Sequence, residues 1–171
     1  MAVDTLALLG AGAVLLLLCL SAFFSSVETA IFSLSLDWID TEATAGDRSA
    51  RTLQRLRNDP HRLLVTVLVG NNLVNVAISS IVTALIATVA SAGIAVVLAT
   101  VVVSGLILIF GEIVPKSYGL GNAEGWALRT ARPIALVEKF LSPVVWVFDV
   151  ITRRITGIIQ GNASIEEPYL D

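Results

Sequence analysis

Apolar residues run almost unbroken through three stretches of the chain, and each run is interrupted by groups that hydrocarbon does not tolerate alone. The first holds Ser21, Ser25 and Glu28, the second Gly70-Asn71-Asn72 with Asn75, and the third Gly111-Glu112 ahead of Pro115. At ~1.5 Å per residue, each run is long enough to cross a hydrocarbon core of ~30 Å as a helix. The pattern predicts an all-α membrane protein with three transmembrane helices, over 1–36, 60–89 and 94–115, plus juxtamembrane helices. Segment 37–59 links the first two spans, a belt helix is expected over 116–160, and 161–171 reads as a polar, acidic linker leading to a further domain.

Local signals set the boundaries. Asp59-Pro60 combines a favoured N-cap with a residue suited to the first helical turn, so the second span starts there. Ser91-Ala92-Gly93 reads as a tight turn, and Pro115, which lacks an N–H, is expected to end the third span. Segment 37–58 alternates acids and arginines around Trp38, Ile39, Leu53 and Leu56, the pattern of short interfacial helices with one apolar side and Trp38 at headgroup level. Residues 126–159 are apolar but broken by Glu138, Lys139, Ser142-Pro143 and Asp149 and closed by Arg153-Arg154, which suits an interfacial or half-inserted belt better than a fourth span.

Composition agrees with a bilayer as solvent: 56% of residues are hydrophobic, only 15% are charged, and mean hydropathy is +0.84. The net charge of −3 with mixed signs gives no footprint for nucleic acid. Basic side chains are confined to the first connection (Arg48, Arg51, Arg55, Arg57, with Arg62 at the start of the second span) and to the segment after the third span. The positive-inside rule therefore predicts a multi-pass protein of the cell membrane with its N-terminus outside and its C-terminus in the cytoplasm. Cys19 and His61 are each the sole residue of their kind, so neither a disulfide nor a thiolate or imidazole metal site can be built within one chain.

The chemistry lies in the interruptions. Ser21, Ser25 and Glu28 are spaced i, i+4, i+7 on one helix face; Asn71, Asn75 and Ser79 continue such a stripe on the second helix; Ser104, Gly105 and Glu112 share a face on the third. Polar groups at that depth cost several kcal/mol on the order of magnitude unless partnered. Two outcomes satisfy them. Serine, asparagine and glycine can serve helix packing, with Glu112 paired to Lys116 at i+4, or the stripes can converge on an ion. Hydroxyl, amide and carboxylate oxygens are hard donors that suit Mg²⁺, Ca²⁺ or Na⁺ rather than Zn²⁺ or Cu⁺. No nucleophile and base stand at the spacing of an intramembrane catalytic pair, so an enzyme is not expected.

Ser21-Ala22-Phe23-Phe24-Ser25, Gly70-Asn71-Asn72-Leu73-Val74-Asn75 and Phe110-Gly111-Glu112-Ile113-Val114-Pro115-Lys116, in that order, resemble the three transmembrane signatures of the CorC/CNNM (cyclin-M) magnesium transporters. The resemblance implies a homodimer that carries Mg²⁺ across the bilayer, exporting it with Na⁺ as coupling ion by alternating access at a dehydrated Mg²⁺ site. Carried over, Ser21 and Ser25 would offer hydroxyls, Asn71 an amide oxygen, Gly111 a backbone carbonyl and Glu112 the carboxylate, with Asn72 and Asn75 in the same motif. Family members usually continue into cytoplasmic ATP-binding regulatory domains, absent from these residues. A Mg²⁺ channel and a non-transporting Mg²⁺-sensing scaffold are the alternatives.

Overall fold

A computed structural model describes residues 2–161 as an all-helical protein. The order is α1 (Ala2–Ser33), α2 (Leu36–Thr44), α3 (Arg48–Arg57), α4 (Pro60–Ile86), α5 (Ala92–Leu106), a π-helical segment (Ile107–Ile113), α6 (Val114–Gly121) and α7 (Ala123–Gly161). Among the described residues, three helices are long and apolar enough to cross a membrane: Ala7–Ser33, Pro60–Ile86 and the continuous run Gly93–Gly121. The expected linker 161–171 lies outside the described residues, apart from Gly161 at the end of α7.

Capping explains where the elements start. Ser35 caps α2 by accepting from Trp38 N, and Asp47 caps α3 by accepting from Ser49 N and Ala50 N. Asp59 accepts from Arg62 N at the head of α4, with Pro60 in the first turn. Gly46, at φ +106°, makes the α2–α3 turn in the left-handed region that favours glycine. The turn between the second and third spans falls earlier than expected: α4 ends at Ile86, and Ser91 is already the N-cap residue of α5.

Pro115 does not end the third helix. It sits in the first turn of α6, directly after the π-helical segment, where a missing N–H is tolerated, and helix continues to Gly121. Likewise α7 runs unbroken through Pro133 and Pro143. Each of these prolines leaves one carbonyl a turn earlier without its helical donor.

The buried core joins α1, α3, α4 and α7 through Val27, Ile31, Leu53, Leu63, Val67 and Ile134, all at most 2% exposed. Ile39 of α2 and Leu56 of α3 complete it, so both short helices turn their apolar side inward while Arg48, Arg51 and Arg55 face out. Trp38 packs against this core rather than standing free of it. Small residues set the helix separations, as expected where lipid removes any hydrophobic drive between helices. Gly70 receives the Phe24 ring, and a Cβ there would come within 2.6 Å of it. At Gly119 a Cβ would overlap the Ser26 carbonyl oxygen, so α6 and α1 touch backbone to backbone.

Polar ties bind α7 to the bundle. Arg62 at the start of α4 forms an ion pair with Glu138, Nε to Oε1 at 2.6 Å, and donates through a terminal nitrogen to Ser142 Oγ at 3.1 Å. Trp126 Nε1 donates to Ser26 Oγ at 3.1 Å, and that hydroxyl donates to the Phe23 carbonyl at 2.9 Å.

Candidate functional site

The polar stripes of the three spans meet. Ser21 is fully buried in α1, and its Oγ lies 2.8 Å from Asn75 Oδ1 and 3.1 Å from Asn71 Oδ1 of α4. A hydroxyl carries one proton, so with both amide oxygens turned to it Ser21 can donate to one of them at a time. One turn further along α1, Ser25 is also fully buried, and its Oγ has no hydrogen-bond partner. An unpartnered buried hydroxyl costs about 1–3 kcal/mol, so Ser25 is not explained by packing alone.

The third span closes on the same point. Gly111 is buried against Ser21, and a Cβ at 111 would come within 2.7 Å of Ser21 Oγ. The π-helical segment runs from Ile107 to Ile113 and so carries Gly111 and Glu112. Such segments are rare, usually a single turn inside an α-helix, and recur at functional sites. They alter the register of the helix, which is why the face shared by Ser104, Gly105 and Glu112 in a regular α-helix is not kept whole. Gly105 meets open space, whereas Ser104 and Glu112 line one groove.

That groove, of about 360 Å³, lies between α4 and the third span, with Asn72, Asn75, Ser79, Ser104 and Glu112 contributing its polar groups. Asn75 therefore belongs to both places: it contacts Ser21 on one side and shares the groove with Glu112 on the other. Glu112 is half-buried and pairs with no described cation. Lys116, one turn after it, is turned to Glu28 of α1 instead, Nζ to Oε2 at 3.6 Å.

Of the residues singled out from sequence, Ser21, Asn71, Asn75 and Gly111 form one contact set. Ser25 lies one turn along the same face, and Glu112 with Asn72 lines the adjoining groove. Ser79 and Ser104, placed on the polar stripes by helical spacing but not carried over as ion ligands, join Glu112 in the groove. Their signal was present in the stripes on the second and third helices. Among the described residues no three of His, Cys, Asp and Glu gather, so the oxygen donors here are hydroxyls, amides and a single carboxylate.

Helices that cross the bilayer three times and bury serines, asparagines and a glycine against one another define a multi-pass membrane protein with a polar centre between its spans. Residues 12–171 match the family described as "Cyclin M transmembrane N-terminal domain". The chain belongs to this CorC/CNNM family. It is 32% identical over 157 residues to the UPF0053 inner membrane protein YfjD of Escherichia coli, covering 86% of this chain and 36% of that protein. It is 36% identical over 155 residues to a chloroplastic DUF21 domain-containing protein of Arabidopsis thaliana, covering 90% and 23%. A UPF0053 protein of Haemophilus influenzae is 30% identical over 160 residues, covering 92% and 38%. The chain thus spans between about a quarter and two-fifths of the length of these relatives.

Proposed function

We propose that this chain is the membrane domain of a Mg²⁺ transporter, holding the ion between its three spans and exchanging it for Na⁺. The observation that carries the reading is the gathering of side-chain oxygens: Ser21 Oγ within 3.1 Å of two amide oxygens, beside a buried Ser25 hydroxyl with no partner. A hard cation would give these neutral oxygens the common partner that a single hydroxyl proton cannot be. Ser21, Ser25, Asn71 and Asn75 would contribute side-chain oxygens, and Gly111, whose missing side chain lets Ser21 approach, would offer its backbone carbonyl. Glu112 would bring the charge, with Asn72 beside it at the groove.

Mg²⁺ releases water reluctantly and demands near-octahedral oxygen geometry. The groove has room for the ion with its six waters, which need roughly 200 Å³ in the liquid, against about 360 Å³ present. A hydrated ion therefore arrives at Glu112, and its waters are exchanged stepwise for amide and hydroxyl oxygens as it moves to Ser21. A single carboxylate leaves a divalent ion only partly neutralised. That keeps binding weak and release fast, which transport requires.

The remaining parts of the reading follow the family. The chain acts as a homodimer, with the basic connection 37–59 and α7 on the cytoplasmic side, and export runs outward down the coupling of Na⁺ entering. Its role is carriage rather than catalysis, and ATP-binding domains in the full-length relatives would regulate it. Reconstitution of the protein into liposomes tests this. Saturable Mg²⁺ flux that rises with an opposing Na⁺ gradient is expected. Non-saturating flux indifferent to Na⁺ would indicate a channel, and Mg²⁺ binding without flux would indicate a sensing scaffold.

A further inference from the structure

Where α6 turns into α7, a cavity of about 450 Å³ opens beside the end of α1. Leu34, Tyr118, Asn122, Glu124, Trp126 and Arg129 line it. Its depth follows from the chain. The span Ala7–Ser33 ends one residue before Leu34, and the span Gly93–Gly121 ends one residue before Asn122, so the cavity sits where two spans leave the hydrocarbon. The aromatic pair fits that level: Tyr118 and Trp126 meet edge to face at 5.4 Å between centroids, and amphipathic rings concentrate among headgroups. The bond from Trp126 Nε1 to Ser26 Oγ holds the indole in place.

The charges at the cavity are opposite and uncommitted. Glu124 and Arg129 are both exposed, lie about 7.5 Å apart along the axis of α7, and neither forms an ion pair with a described residue. One free anion and one free cation on a shared cavity wall complement a zwitterion rather than a simple anion. Guanidinium is suited to a phosphate diester, which it grips through two parallel hydrogen bonds. A primary ammonium donates hydrogen bonds to a carboxylate, whereas a quaternary ammonium has none to donate. The volume is in the range of small-molecule sites.

We propose that this cavity binds the headgroup of phosphatidylethanolamine, with its phosphate at Arg129 and its ammonium at Glu124. The bound lipid packs its headgroup against the Tyr118–Trp126 pair and fixes the corner between the third span and α7 in the membrane interface.

The test reads lipid retention and is independent of ion movement. The chain is reconstituted into vesicles of phosphatidylethanolamine with phosphatidylglycerol, or of phosphatidylcholine with phosphatidylglycerol, then extracted gently and analysed by native mass spectrometry. One phosphatidylethanolamine per chain is expected, with phosphatidylcholine retained about tenfold less. Arg129→Gln lowers phosphatidylethanolamine retention about tenfold, and Glu124→Gln removes the preference over phosphatidylcholine. Arg132→Gln, exposed but outside the cavity, changes nothing. Equal retention of the two zwitterionic lipids by the unaltered chain, stronger retention of phosphatidylglycerol, or full phosphatidylethanolamine retention in both cavity variants would overturn the proposal. So would complete displacement by an equal concentration of soluble glycerophosphoethanolamine, which would make the site one for a free solute.

Discussion

Gly111 lies so close to Ser21 that a single added carbon at position 111 would stand 2.7 Å from the Ser21 hydroxyl. Ser21 is fully buried and already in contact with Asn71 and Asn75, so it has nowhere to move. Gly111→Ala should therefore push the third span away from the first. A stability loss of about 1–3 kcal/mol is expected, measured by denaturant unfolding in detergent, together with loss of Mg²⁺ flux. Wild-type stability and flux in this variant would mean that the contact is not needed.

Gly119 makes the more demanding contact, because its hypothetical Cβ overlaps a backbone oxygen, that of Ser26, rather than a side chain. Backbone cannot rotate aside. Gly119→Ala should cost more than Gly111→Ala and should reduce the yield of folded protein, whereas Gly105→Ala, which meets open space, should leave yield and unfolding midpoint unchanged. Size-exclusion profiles and unfolding midpoints of the three variants check the order.

Lys116 and Glu28 form a partly exposed pair at 3.6 Å, with side-chain exposures of 46% and 26%. Exposed pairs contribute about 0–1 kcal/mol, so Lys116→Met should shift stability by no more than that. Since Lys116 faces α1 and not Glu112, the same variant should leave Mg²⁺ affinity within about threefold, a change of under 1 kcal/mol. A larger loss of affinity would make Lys116 part of the ion site.

The Arg62–Glu138 contact at 2.6 Å, reinforced by Ser142, fastens α7 to the head of α4. Glu138 is the more buried partner, with a side chain 18% exposed. Arg62→Met removes its counter-charge and should loosen α7, seen as faster amide exchange along residues 138–150 than along α1. Unchanged exchange there would show that apolar packing alone holds α7.

How much of this was readable in advance depends on the kind of signal. The three spans were legible because hydropathy over twenty or more residues leaves few alternatives in a bilayer, and the head of α4 was legible because Asp59-Pro60 is a local cap signal that needs no tertiary context. The stripe of Ser21 and Ser25 followed from helical spacing alone. The sequence did not disclose the π-helical segment, whose register change depends on packing against α1, so Pro115 read as a stop and Gly105 as sharing the face of Glu112. Nor did it rank the asparagines. Which of Asn71, Asn72 and Asn75 faces Ser21 depends on how α1 and α4 cross, and the structure turns Asn71 and Asn75 to it while Asn72 lines the groove. The partner of Lys116 was ambiguous for the same reason: a helical neighbour was visible in sequence, and the distant Glu28 was not.

In the proposed site, oxygens from three spans hold one Mg²⁺, and Glu112 is the only charge among them. Calorimetric Mg²⁺ titration of the purified protein and of Glu112→Gln, a variant of the same shape without the charge, tests it most directly. Binding of one Mg²⁺ per chain, weakened at least about tenfold in Glu112→Gln with the unfolding midpoint preserved, is the predicted result. Equal Mg²⁺ affinity in the two proteins would contradict the site and return the buried serines and asparagines to helix packing.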